Sequence, residues 1–193
     1  MLYSSVVVDN LYFLGAEKHI GIACLYADYK GQCTQTLANI LGSILGQFLT
    51  TTEQPIPAEI VEKLKSIQRQ RKKVATEDID MFKIQLHRFG RAFICIDAVD
   101  ELEPLVRQQL LNALKDLATN NTRIFLTGRE HVKSEVQQHL QVRQKYQAII
   151  SAREQDIKEF VEQQITNDQI PDAMDEALKK DIVDTLIQKS QKM

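Results

Sequence analysis

Phe93-Ile94-Cys95-Ile96-Asp97-Ala98-Val99-Asp100-Glu101-Leu102 carries four apolar residues into an aspartate and then crowds two more acids into the next four positions. A buried strand reads as a continuous apolar run, and in an open α/β sheet a side chain at the strand's carboxyl end emerges in the crevice where such sheets bind ligands. Asp97 therefore stands at a candidate ligand site, with Asp100 and Glu101 close behind it. A blander role suits the same residues: Asp97 caps a turn, while Asp100, Glu101 and Glu103 decorate the first turn of a following helix, where acids favour the dipole. The two roles are compatible.

Outward from this stretch, four short runs are apolar, β-branched and bounded by polar or turn residues: Ile20 to Tyr26, Ala92 to Ile96, Arg123 to Thr127 and Gln147 to Ile150. Helix-favouring segments separate them, at Thr34 to Leu49, Ala58 to Arg71, Glu77 to Arg88, Leu105 to Leu117 and His131 to Leu140. This alternation predicts an α/β fold with a parallel sheet. Leu2 to Leu14 places apolar residues at three- and four-residue steps and favours helix, although Val6, Val7 and Val8 also suit a strand. Pro55 and Pro57 mark a loop between two helices. Beyond the last run, Arg153 to Ile165 and Ala173 to Lys189 read as helices, the first with Ile157, Phe160, Val161 and Ile165 on one stripe. The organisation is a sheet-bearing core over 1–152 and a helical extension over 153–193.

With 193 residues, 44% hydrophobic and 26% charged, the chain has the composition of a globular protein of ordinary domain size. A net charge of −2 gives no global footprint for nucleic acid or an acidic membrane. The densest basic patch, Arg69, Arg71, Lys72 and Lys73 after Lys63 and Lys65, reads as a solvated helix end. Cys24, Cys33 and Cys95 lack metal-ligand spacing and read as reduced core residues. No apolar run approaches the roughly 20 residues needed to span a bilayer, and Met1 to Leu14 lacks the basic start and long apolar centre of a signal peptide. A cytoplasmic protein without nucleic-acid or membrane partners is expected.

About thirty residues after Asp97, Arg123-Ile124-Phe125-Leu126-Thr127-Gly128-Arg129 ends a second strand on a hydroxyl, a glycine and a guanidinium. Arginine suits phosphate recognition because its planar fork donates two charge-assisted hydrogen bonds at once. The competing role for Arg129 is a surface ion pair with Asp100 or Glu130.

Taken together, IGIACLYADYKGQCTQT from Ile20, NILGSILGQF from Asn39, FICIDAVDEL from Phe93, RIFLTGRE from Arg123 and AREQDIKEF from Ala152 resemble the NACHT and nephrocystin-like N-terminal ATPase domains of the STAND signalling proteins. The resemblance implies a P-loop NTPase-like parallel sheet flanked by helices, in the strand order 5-1-4-3-2, with ATP and Mg²⁺ as ligands. It puts the Walker B acid, which reaches the metal through water, on Asp97. It puts the acids that orient or deprotonate the attacking water on Asp100 and Glu101, and phosphate contacts on Thr127 and Arg129. It further implies a nucleotide-controlled switch in self-recognition or defence signalling that oligomerises with other protein chains.

One family feature is missing, since no G-x-x-x-x-G-K-[ST] loop occurs in the 193 residues. Met1 to Val6 resembles the helix that follows such a loop, so the expectation is a fragment whose first strand, glycine cradle and lysine precede Met1. Charge-assisted bonds contribute about 1.5–3 kcal/mol each, and micromolar affinity totals only about 8 kcal/mol. Losing several phosphate contacts thus predicts weak or absent ATP binding and no hydrolysis by the chain alone. The missing strand also leaves two inner sheet edges unpaired, at Arg123 to Thr127 and Gln147 to Ile150. The alternatives are an active nucleoside triphosphatase completed by an upstream or partner loop, and a protein-interaction module without nucleotide.

Overall fold

The computed structural model describes residues 2–15, 19–52, 54–74, 78–119, 121–141, 146–150, 154–167 and 174–190. The chain divides into two compact units, Met1–Gln144 and Lys145–Met193.

The first unit runs α1 (Leu2–Gly15), β1 (Ile20–Tyr26), α2 (Leu37–Thr50), α3 (Ala58–Arg69), α4 (Ile79–Leu86), β2 (Arg91–Asp97), α5 (Pro104–Leu117), β3 (Thr122–Leu126) and α6 (Lys133–Leu140). The strands form a parallel sheet in the order β1-β2-β3. Ile20 lies opposite Arg91 and Tyr26 opposite Asp97, while Ala92 lies opposite Thr122 and Ile96 opposite Leu126. This is the α/β architecture expected from the alternating pattern. Because side chains alternate along a strand, Ala23, Ala92, Ile94 and Ile96 turn into the core with Ile44, Phe48, Phe82, Leu110 and Leu114. On the opposite face, Ser4 and Val8 of α1 meet Cys24, Cys95, Asp97 and Phe125. Among the described residues of this unit the sheet is thus thickly covered on one side and capped by a single helix on the other.

Local chemistry explains the helix limits. Thr36 caps α2 by accepting from the Asn39 amide at 3.3 Å, and Ile40, Leu41, Ile44, Leu45 and Phe48 then bury one face. Glu103 caps α5 by accepting from the Val106 amide at 3.1 Å, with Pro104 opening the helix. Helix α3 closes in a Schellman turn: Arg71 takes a left-handed φ of 52°, and the Arg71 and Lys72 amides donate to the Gln68 and Ile67 carbonyls. Arg69, Arg71, Lys72 and Lys73 are exposed there, as expected of a solvated helix end.

In the second unit α7 (Glu154–Thr166) and α8 (Glu176–Ser190) pack on each other. Two expectations fail here. Gln147 to Ile150 is not a strand, and Ile149 and Ile150 are exposed at 78% and 57%. A four-residue apolar run becomes a strand only when a neighbour takes up its backbone donors and acceptors, and no described strand does so. Phe160 leaves the expected apolar stripe: Val161 is buried, Ile157 and Ile165 are half-buried, and Phe160 is exposed. Cys33 also departs from expectation, being exposed beyond the end of β1, although Cys95 is buried and Cys24 half-buried. Among the described residues no helix is long and apolar enough to cross a membrane.

Candidate functional site at the carboxyl ends of β2 and β3

The tips of β2 and β3 are joined by side chains as well as by the ladder. The Thr127 amide donates to the Ile96 carbonyl at 3.0 Å and the Val99 amide returns to the Thr127 carbonyl at 2.9 Å. Between them the Thr127 hydroxyl accepts from the Ala98 amide at 2.9 Å and donates its proton to Asp97 Oδ1. Asp97 is buried. Its own carbonyl accepts from the Ala27 amide at 3.0 Å, so the end of β1 is tied to the same point. To turn out of the strand here, Ala98 takes φ 54° and ψ 48°, a left-handed conformation that costs an L residue about 1–2 kcal/mol.

A 3₁₀ turn follows at Val99–Glu101, separate from α5, so of the three acids expected on the first helical turn only Glu103 serves that helix. Asp100 Oδ1 accepts from the Arg129 amide at 3.2 Å, and Asp100 Oδ2 lies 3.5 Å from Arg129 Nε. The Asp100 side chain is 5% exposed and that of Arg129 is 77% exposed, so a buried carboxylate holds the base of a guanidinium that reaches solvent. Gly128 permits this approach: a Cβ there would stand 3.0 Å from Val99 and 3.4 Å from Asp100 Oδ1. Glu101 reaches the loop after β1, accepting from the Tyr29 amide at 3.3 Å through Oε2 and from Gln32 Nε2 at 2.7 Å through its carbonyl.

Asp97, Asp100, Thr127 and Arg129 therefore gather at two adjacent strand ends, with Glu101 turned toward Tyr29 and Gln32. For Arg129, the surface ion pair with Asp100 is present in the structure. Arg107 escaped the sequence reading. From α5 it donates to the Asp100 and Leu102 carbonyls at 3.4 and 3.1 Å and pairs with Glu135 at 2.9 Å, clamping the acidic turn from behind. Its signal is a cation three and seven residues before Leu110 and Leu114, on a helix face that is otherwise apolar.

The donor set is hard oxygen, which suits Mg²⁺, but among the described residues no three metal-ligating side chains cluster. Mg²⁺ is commonly held by one or two carboxylates together with a substrate's phosphates, so Asp97 fits a metal that arrives with a nucleotide better than a resident ion. The crevice that Asp97 lines beneath α1 leaves no space for even a water-sized molecule, against the roughly 300–1,000 Å³ of small-molecule pockets. A nucleotide would have to lie outside it, across the strand tips.

A parallel α/β unit with acids and a guanidinium gathered at neighbouring strand ends defines the class of protein. Within that class, the chain belongs to the nephrocystin 3 N-terminal family, whose model matches residues 1–129, from α1 through Arg129. No curated protein and no solved structure matches the chain significantly.

Proposed function

We propose that this chain carries the acid- and arginine-bearing side of a STAND-type signalling ATPase domain, a nucleotide-controlled switch that assembles with other protein chains, and that its 193 residues alone bind Mg·ATP weakly and do not hydrolyse it. One observation carries the reading: Asp97, Thr127, Asp100 and Arg129 converge on adjacent strand tips, where open α/β sheets take their ligands. In that role Asp97 faces Mg²⁺ through water, Asp100 or Glu101 orients the attacking water, and Thr127 and Arg129 meet the terminal phosphate. The metal would supply charge neutralisation at the phosphates.

Weak binding follows from how the tips are satisfied. Arg129 is held at Nε by Asp100 and meets phosphate only through its outer guanidinium nitrogens, and the Thr127 hydroxyl proton is already given to Asp97. The Thr127 contact therefore replaces an existing bond, and no G-x-x-x-x-G-K-[ST] loop in the chain adds further donors. A Mg·ATP titration followed through backbone amide NMR shifts tests this. The expected result is shifts centred on Asp97 to Glu101 and Thr127 to Arg129, saturation only in the millimolar range, about 4 kcal/mol of binding, and their loss in Asp97→Asn. Micromolar saturation with turnover would support the complete enzyme instead. Shifts that avoid both strand tips would remove the nucleotide reading altogether.

A further inference from the structure

Cys24 of β1 and Cys95 of β2 are register partners in the parallel sheet, so their side chains stand on the same face. Both line the crevice beneath Ser4 and Val8 of α1. Neighbouring strands lie about 4.8 Å apart, inside the 4.4–6.8 Å that a disulfide requires between Cα atoms. The pair is asymmetric in access, Cys24 being half-buried and Cys95 buried.

It is asymmetric in chemistry as well. Interaction with the neighbouring Cys95 thiol holds the Cys24 thiol below its ordinary range, with burial opposing and the Tyr12 hydroxyl assisting. The same interaction, together with burial, pushes Cys95 upward. The half-buried Cys24 sulfur is the one an oxidant from solvent meets first and the buried Cys95 sulfur stands behind it, which is the division between an attacking and a resolving thiol.

We propose that Cys24 is a hydroperoxide-reactive modification site and that Cys95 resolves it, closing a reversible disulfide across β1 and β2. The Cys24 thiolate attacks one peroxide oxygen, the O–O bond breaks, and the departing oxygen takes a proton and leaves as water or an alcohol. Cys24 is then a sulfenic acid. The Cys95 sulfur gives up its proton and attacks the Cys24 sulfur, the S–O bond breaks, water leaves and the S–S bond forms. Two thiols are oxidised by two electrons and one hydroperoxide is reduced by two. Side chains standing upright at the strand spacing must lean together to reach the roughly 3.8 Å Cβ separation of a disulfide, and strain of that kind makes the bond easy to reduce. The chemistry is independent of any nucleotide at the strand tips.

The test uses the full chain with the exposed Cys33→Ser, treated with hydrogen peroxide, alkylated and weighed by mass spectrometry. The proposal expects a loss of two hydrogens, loss of alkylation at Cys24 and Cys95 together, one linked peptide pair, and full recovery with dithiothreitol. Adding Cys95→Ala should stop the reaction at a Cys24 sulfenic acid that dimedone traps. If that second variant fails to fold by circular dichroism, the Cys33→Ser chain decides alone. Full alkylation of both sulfurs after peroxide, or Cys24 linked only between two molecules, would overturn the proposal.

Discussion

Replacing the Thr127 hydroxyl with a methyl, as in Thr127→Val, leaves both Asp97 Oδ1 and the Ala98 amide short of a partner. A buried polar group left unsatisfied costs about 1–3 kcal/mol, so the urea midpoint should fall accordingly, whereas Thr127→Ser keeps the hydroxyl and should stay close to the parent. The next residue along the turn offers the opposite change. Ala98 at φ 54° bears the left-handed penalty, and glycine avoids it at an entropic cost of about half that size. Ala98→Gly should therefore stabilise the protein by about 0.5–1 kcal/mol in the same assay; a loss of stability would mean that the Ala98 methyl packs to more effect than its backbone is strained. At this scale, the sequence marks where the polar residues are but not whom they bind. Asp97 and Thr127 are legible because an apolar run stops on each, and a run that stops must surface at a strand end. That the hydroxyl of one would serve the carboxylate of the other depends on the register of β2 against β3, which no local pattern encodes. Arg107 is harder still, since its function lies in two carbonyls and a carboxylate that only the packed turn and α6 bring to it.

Helix α2, β1 and the turn after α4 meet at Gly21, where a Cβ would stand 2.7–2.9 Å from the Phe89 ring. That ring is buried and stacks at a tilt against Phe48, centroids 5.7 Å apart, so it has little room to retreat. Gly21→Ala should destabilise by about 1–3 kcal/mol, the usual cost of overpacking, read as a lower thermal midpoint; an unchanged midpoint would show that Phe89 moves freely. Periodicity serves well at this scale wherever an element buries a face against others. The limits of β1 are those of its apolar run, and α2 and α5 follow their leucine and isoleucine spacing from a side-chain cap. It fails where burial depends on a distant partner. Gln147 to Ile150 has the composition of a strand without a ladder to join, and Phe160 sits at a helical spacing whose neighbours are covered while it is not.

The sheet as a whole has two outer strands, and each carries a different guard. On β1, the Gln47 side chain accepts from the Cys24 amide at 2.8 Å and donates to the Cys24 carbonyl at 2.9 Å, imitating one rung of a neighbouring strand. On β3, the exposed Arg123 places a charge on a strand that, among the described residues, pairs with β2 alone. Unpaired edges recruit other strands unless a side chain or charge prevents it, and a net charge of only −2 offers little general repulsion between molecules. Gln47→Leu and Arg123→Val should therefore each raise the weight-average mass in sedimentation velocity as concentration increases, with the double variant exceeding either alone because the two edges are separate. Circular dichroism should retain the α/β spectrum, since neither side chain belongs to the buried core. If both variants sediment as the parent does at every concentration, the edges are shielded by something other than these residues. If only Gln47→Leu associates, β3 is the better protected edge, and Arg123 owes its place to its bonds with the Thr119 and Thr122 carbonyls.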